Sequence, residues 1–333
     1  MTLATYILPD LTNIRNSREA IRYQALVGSA NLYIKALGDE LIGLNSALSK
    51  ADQLVANAIT SAITALESDD LRETLHALSA LKERQPDTQT QSTIESYSKI
   101  TSQLMELCTD KISQLHASLE DGVFNVQSAS ISNNRFRLAE LADARVQLEQ
   151  QHSTEQVPLA ELIADLAVLN EAIKEFEKLT FIDRLKPLLE QLKSLIGNKP
   201  ATPQSAALEG GVIVATKFLD EANELIKYQS LTKARGIIQT RISQREERVS
   251  SLARQLRDND DRTRQLNDTQ KVIPHQQTYV SETNKLIDSL YAFLDTVLYA
   301  PRDEILARGE LMLKNSQALH SYMSKLQGRW LRG

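Results

Sequence analysis

Eleven glycines and eight prolines supply all the backbone punctuation in a chain of 333 residues. That is roughly half the usual share of each, ~7% and ~5%. Strands reverse through turns, and turns are built largely from these residues. A large β-protein is therefore excluded, as are collagen and low-complexity disorder. What remains is a few long helices. The expected fold is all-α: an elongated, rod-like antiparallel bundle or coiled coil with one long helical hairpin projecting from it.

The sparse breakers map the helices. Pro9 precedes a first helix over about Leu11–Leu37. A second, from Asp39 to about Arg84, can break at Ser68-Asp69-Asp70 and ends at Pro86. A third runs from Thr88 to Glu120 and stops at Asp121-Gly122. A fourth runs from Val123 to Gln156, since the residue before Pro158 is pushed out of the helical region. Two long arms follow, Leu159–Ile196 and Ser205–Val272, joined by Gly197-Asn-Lys-Pro-Ala-Thr-Pro203. Pro274 separates a last pair, Gln276–Tyr299 and Pro301–Gln327, with Pro301 suited to a first helical position. The implied division is 1–156 for the N-terminal bundle helices, 157–273 for the hairpin, and 274–333 for a C-terminal pair packing on the bundle. Leu162, Leu166, Leu169, Ile173 and Phe176 alternate steps of four and three, which is a coiled-coil seam.

Composition narrows the class. A net charge of −5 suits a soluble surface and argues against a nucleic-acid coat. The single Cys108 forbids an internal disulfide, and between Leu104 and Ile112 it reads as a small buried hydrophobe. No run approaches the ~18 apolar residues of a spanning helix. The first basic residue is Arg15, with no apolar signal core before it, so the expectation is a protein soluble as made, without a secretory signal.

The hairpin tip, near 183–226, carries the functional signal. At 100° per residue, Asp183, Lys186, Glu190 and Lys193 fall within about 80° of one another. Leu185, Leu188, Leu189, Leu192, Leu195 and Ile196 fall about 120–240° from Asp183. On the returning arm Leu208, Val212 and Phe218 share an apolar face, with Ile213 toward the charged side. The turn region holds Gly197, Pro200, Pro203, Gly210 and Gly211. Such stripes can pack two arms together in water. They can also enter a bilayer, because ~20 residues at 1.5 Å each reach across ~30 Å of hydrocarbon. A lone arm would carry four charges at about 2.5–3.5 kcal/mol each, roughly 10–14 kcal/mol in all. In a ring the charges can face a water-filled lumen and the leucines lipid, so insertion requires assembly. Pro187 offers a place for the outgoing arm to kink.

In whole-chain character the layout resembles the B components of the xenorhabdolysin-type binary α-pore-forming toxins, of the cytolysin A-like superfamily. The likeness rests on size, all-helical build, the absent signal peptide, and the hairpin 159–272 with its tip around Gly197–Gly211. It implies a soluble monomer that meets an A component at target-cell membrane lipids and joins it in a hetero-oligomeric ring. The hairpins of the B subunits would line the pore. It also implies export from a bacterium without a conventional signal peptide, lysis of eukaryotic cells at the host membrane, and no enzymatic activity. The residues expected to face lipid are Leu185, Leu188, Leu189, Leu192, Leu195, Ile196, Leu208, Val212, Ile213 and Phe218. Asp183, Lys186, Glu190 and Lys193 are expected to line the pore.

Other signals point elsewhere. Glu73/His76 and Glu149/His152 have the Glu-x-x-His spacing of di-iron bundles, yet Glu73 and His76 lie opposite Leu71, Leu75 and Leu78. No metal, cofactor or catalytic residue is expected, because phosphate-binding glycine loops, zinc spacings and nucleophile elbows are missing. Between Lys233 and Arg264 there are nine Lys/Arg against five Asp/Glu. Without interleaved aromatics this reads as a solvated helix face, and no nucleic-acid partner is expected. Tyr279, Tyr291, Phe293, Tyr299, Tyr322 and Trp330 read as packing for the end of the bundle. The competing classes are a coiled-coil scaffold or tether and a di-iron helical oxidase.

Overall fold

The computed structural model describes residues 4–83, 88–177, 224–298 and 304–330. They form eight α-helices: α1 Leu11–Leu26, α2 Lys35–Ala65, α3 Asp69–Lys82, α4 Thr88–Ser128, α5 Arg135–Glu177, α6 Glu224–Gln270, α7 Val272–Leu298 and α8 Ile305–Leu326. There is no strand among the described residues. The chain divides into two compact units, Met1–Asn134 with Arg264–Gly333, and Arg135–Thr263.

Helix ends follow local chemistry, not always where the breakers suggest. Asp10 caps α1, its Oδ1 accepting from the amides of Thr12 (2.8 Å) and Asn13 (3.1 Å). The helix ends at Leu26 instead of continuing to Leu37, and a 3-10 turn over Gly28–Asn31 turns the chain into α2. There Ser29 Oγ donates to the Ala25 carbonyl, one of the carbonyls a helix end leaves without an amide. The break at Ser68 occurs, and Asp69 and Asp70 then fill the first turn of α3, where carboxylates favour the positive helix end.

The stop expected at Asp121-Gly122 does not occur. α4 runs on to Ser128, and Gly122 lies buried against Ala51 and Leu54 of α2, where an added Cβ would sit 2.9 Å from Leu54 Cδ1. This glycine permits close approach of two helices and does not terminate one. The chain instead breaks between Ser128 and Arg135, in the polar run Ala-Ser-Ile-Ser-Asn-Asn. Gln276 Nε2 gathers the frayed carbonyls of Val126 (2.6 Å) and Ala129 (2.9 Å), and Glu40 accepts from the Ser132 amide at 2.8 Å.

Pro158 likewise does not end a helix, for α5 passes through it. Proline removes one amide donor and crowds the preceding turn. Contacts on both sides outweigh that: Glu155 is paired across to Arg245, and Leu159 and Leu162 pack into an apolar seam. Pro274 sits in the first turn of α7, where its missing amide costs nothing, so the α6–α7 break falls at Lys271.

Within the first unit, α2 and α7 each pack against both α1 and α4, and these four helices form a square with α1 and α4 on one diagonal. Its core draws Ile14 and Ile21 from α1, Leu41, Leu44 and Val55 from α2, Ile112 and Leu119 from α4, and Leu286, Leu290 and Phe293 from α7. α8 packs on α2, α3, α4 and α7. Each such fully buried side chain contributes about 1.5–3 kcal/mol. Tyr279, Phe293, Tyr322 and Trp330 are buried as expected of packing aromatics, whereas Tyr291 is 58% exposed. Tyr299 lies outside the described residues. Cys108 is half-buried against this core, and desolvation pushes its thiol up to about 11, offset in part by a hydrogen bond with Ser316.

Candidate membrane-active hairpin

The second unit is built from α5 and α6. Glu177 accepts from Tyr228 Oη at 2.8 Å, Glu155 pairs with Arg245, Arg145 lies 3.5 Å from Asp260, and Asn259 Nδ2 donates to the Leu141 carbonyl at 3.1 Å. As α5 is followed backwards α6 advances, so the two helices run antiparallel without a slip in register. Such an arrangement is the stalk of a hairpin.

The seam on α5 is the one its periodicity predicts. Leu162, Leu169, Ala172 and Ile173 are buried, and Leu159 and Leu166 pack beside them. Phe176 lies outside the described side chains. The partner stripe on α6 steps by sevens through Leu231, Ile238, Arg245, Leu252 and Asn259, with Tyr228, Ile242, Val249 and Leu256 on the second track. That heptad went unread, although the seven-residue step was present, because Arg235, Arg245 and Asn259 occupy three of its positions.

Two of those polar positions, Arg245 and Asn259, meet partners. The Arg245 side chain is 13% exposed, and its guanidinium rests on Glu155, 24% exposed, which Arg248 also approaches at 3.9 Å. An ion pair this far from water adds little over leucine, but loss of one partner strands the other charge. Its main effect is to fix register, since a slip would bury both charges alone. Part of the basic run is thus spent within the fold. Arg245 and Arg248 serve Glu155, and Arg262 meets Asp258 at 2.7 Å. Near the open end of the described pair, Glu177 raises the Tyr228 phenol by its hydrogen bond and charge.

The tip assigned from sequence lies outside the described residues. This holds for Leu185, Leu188, Leu189, Leu192, Leu195, Ile196, Leu208, Val212, Ile213 and Phe218, for Asp183, Lys186, Glu190 and Lys193, and for Gly197, Pro200, Pro203, Gly210 and Gly211. Among the described residues no helix is long and apolar enough to cross a membrane. Glu73 and His76 are both exposed on α3, and Glu149 is engaged by Arg145 at 3.0 Å. Among the described residues no group of three His, Cys, Asp or Glu is placed to hold a metal ion.

The described residues thus form an all-α architecture, a helical bundle in one unit and an antiparallel helix pair in the other. PaxB from Photorhabdus luminescens superposes with a TM-score of 0.75 at 14% identity, over 98% of each chain. XaxB from Xenorhabdus nematophila gives 0.68 at 16% identity, over 98% of this chain and 99% of that one. A chain of the XaxAB pore complex from Xenorhabdus nematophila gives 0.69 at 14% identity, again over 98% and 99%. No family model and no curated protein matches the sequence. At these identities the likeness establishes the fold, the one the sequence resemblance implied.

Proposed function

We propose that this protein is the B-type subunit of a two-component α-pore-forming cytotoxin. It is made as a soluble monomer, co-assembles with an A component on target membranes, and inserts its hairpin to line a pore. The observation that carries the reading is full-length likeness to a chain of an assembled pore complex. The antiparallel stalk supports it, because α5 and α6 lead directly into the amphipathic segment 183–226.

In this mechanism the chain performs no bond chemistry. Apolar burial drives insertion, at about 25 cal/mol per Å². Leu185, Leu188, Leu189, Leu192, Leu195, Ile196, Leu208, Val212, Ile213 and Phe218 face lipid. Asp183, Lys186, Glu190 and Lys193 stay hydrated in the lumen once neighbouring copies close it. Backbone groups remain satisfied because the inserted segments are helical. The protein is exported from a bacterium and acts at the host cell membrane.

The test is dye release from liposomes and haemoglobin release from erythrocytes, with purified protein alone and with an A component encoded by the neighbouring gene. Release with both proteins and not with either alone is expected. No release, from folded protein and an A component known to bind the membrane, overturns the proposal and leaves a scaffold.

A further inference from the structure

The square of α1, α2, α4 and α7 places the outer faces of α1 and α4 on opposite sides of the first unit, and those two faces are complementary. On α1, Arg15, Glu19, Arg22 and Tyr23 are exposed, Tyr23 by 59%. Neither Arg15 nor Arg22 has an ion-pair partner among the described residues. On α4, Glu120, Asp121 and Phe124 are exposed, Phe124 by 65%, and among the described residues Glu120 pairs with His116 of its own helix, at 3.3 Å.

The two faces lie at one level. Arg18 of α1 is bonded to Asp52 of α2, and Gly122 of α4 packs on Ala51 and Leu54, so both patches flank the same stretch of α2. They also point the same way along their helices. α4 is antiparallel to α2, since Gly122 meets Ala51 and Ser132 meets Glu40. α1 is antiparallel to α2 as well, since Arg18 meets Asp52 and Ser29 lies beside Gly38. A rotation about an axis parallel to the helices therefore brings the α1 face of one copy to the α4 face of the next, in register and without axial rise. Two different patches make a heterologous contact, which builds a ring when the rotation between copies closes.

We infer that the occupant of the α1 face is the α4 face of a second copy of this chain. Arg15 and Arg22 meet Glu120 and Asp121, and Tyr23 packs on Phe124. Opposite charges steer the approach, and the aromatic pair anchors it after desolvation. One small patch per side is too little for a stable dimer in dilute solution, so the contact forms when a membrane concentrates the chains. The inference rests on the pore reading for its setting, but on the geometry of the first unit for its residues.

Two single variants, Tyr23→Cys and Phe124→Cys, are mixed on liposomes with the A component and oxidised, with wild type as the control for Cys108. Dye release is read from the same vesicles. A crosslinked dimer from the mixture, and from neither variant alone, is expected. In an otherwise unmodified pair of faces, Arg22→Glu should lower lysis about three- to tenfold, as expected for reversal of an exposed pair repeated at every contact. Adding Asp121→Arg to the same chain should restore it. Dye release without the mixed crosslink, or a crosslink from either cysteine to the A component instead, overturns this inference while leaving the pore reading intact. The mixed crosslink without dye release by wild type supports the contact and counts against the pore reading alone.

Discussion

Asp52 satisfies two donors with one oxygen. Its Oδ1 accepts from Arg18 Nη2 and from Tyr279 Oη, both at 2.7 Å, while Arg18 Nη1 donates to the Trp330 carbonyl at 2.6 Å and the guanidinium lies 5.3 Å from the centroid of the indole ring. Four parts of the chain thus meet on one buried carboxylate. Asp52→Ala leaves the Arg18 charge and the Tyr279 hydroxyl stranded together and should cost about 3–5 kcal/mol, read as a lower urea midpoint. Asp52→Asn keeps an acceptor and should lose less. Equal midpoints for Asp52→Ala and wild type would sink this account. The buried phenols give a pH dependence of definite sign. Desolvation raises Tyr279 well above its ordinary value, with the Asp52 charge adding to it, and desolvation brings Tyr322 to about 12. A raised acid keeps its proton longer in the fold, so the contribution is whole below the unfolded value of ~10 and drains as pH climbs from there. The urea midpoint should fall as pH rises between 10 and 12, less steeply in Tyr322→Phe. Cys108, at about 11, should resist alkylation at pH 8 and react only as pH nears that value.

The α5–α6 pair shows why some elements were legible in sequence and others were not. A seam of leucines on α5 could be read because its own positions 162, 166, 169 and 173 are all apolar. Its counterpart on α6 was hidden, since Arg245 and Asn259 occupy core positions and look like surface until a carboxylate and a carbonyl are found opposite them. The same blindness misplaced two helix ends. Gly122 and Pro158 are breakers by intrinsic preference, and packing on α2 in one case and on α6 in the other overrides that preference. Both facts can be turned into measurements on the stalk. Arg245→Ala should destabilise by about 2–4 kcal/mol, because Glu155 is left without its main partner. Replacing the pair together, Glu155→Leu with Arg245→Leu, should recover most or all of that, at the expense of register. Thermal unfolding followed by circular dichroism separates these cases. A double variant as unstable as Arg245→Ala would mean that the ion pair itself, rather than avoidance of a stranded charge, stabilises the stalk.

At the scale of the whole molecule, the all-α class was written in the shortage of Gly and Pro, and the seam of α5 in the four-three steps of Leu162, Leu166, Leu169 and Ile173. The proposed functional tip rests on a different feature: its two stripes separate cleanly on a wheel although neither is long enough in apolar residues to span alone. Such stripes suit a pair packed in water as well, but in lipid the charged stripe is tolerable only when other copies turn it toward a lumen. The consequence is a pair of variants with separable effects. Leu192→Asp places a carboxylate among the proposed lipid-facing residues at about 3 kcal/mol per copy near the bilayer centre. Repeated in every subunit of a ring, that is enough to abolish dye release, while helical content and binding to the A component stay as in wild type. Glu190→Lys changes only the proposed lumen face. Pores should still form, but reversal potentials across a salt gradient should shift toward anions, since a ring of carboxylates becomes a ring of ammonium groups. Wild-type lysis from a well-folded Leu192→Asp protein would remove these leucines from the lipid interface. An unchanged reversal potential in Glu190→Lys would remove Glu190 from the lumen even if the pore itself stands.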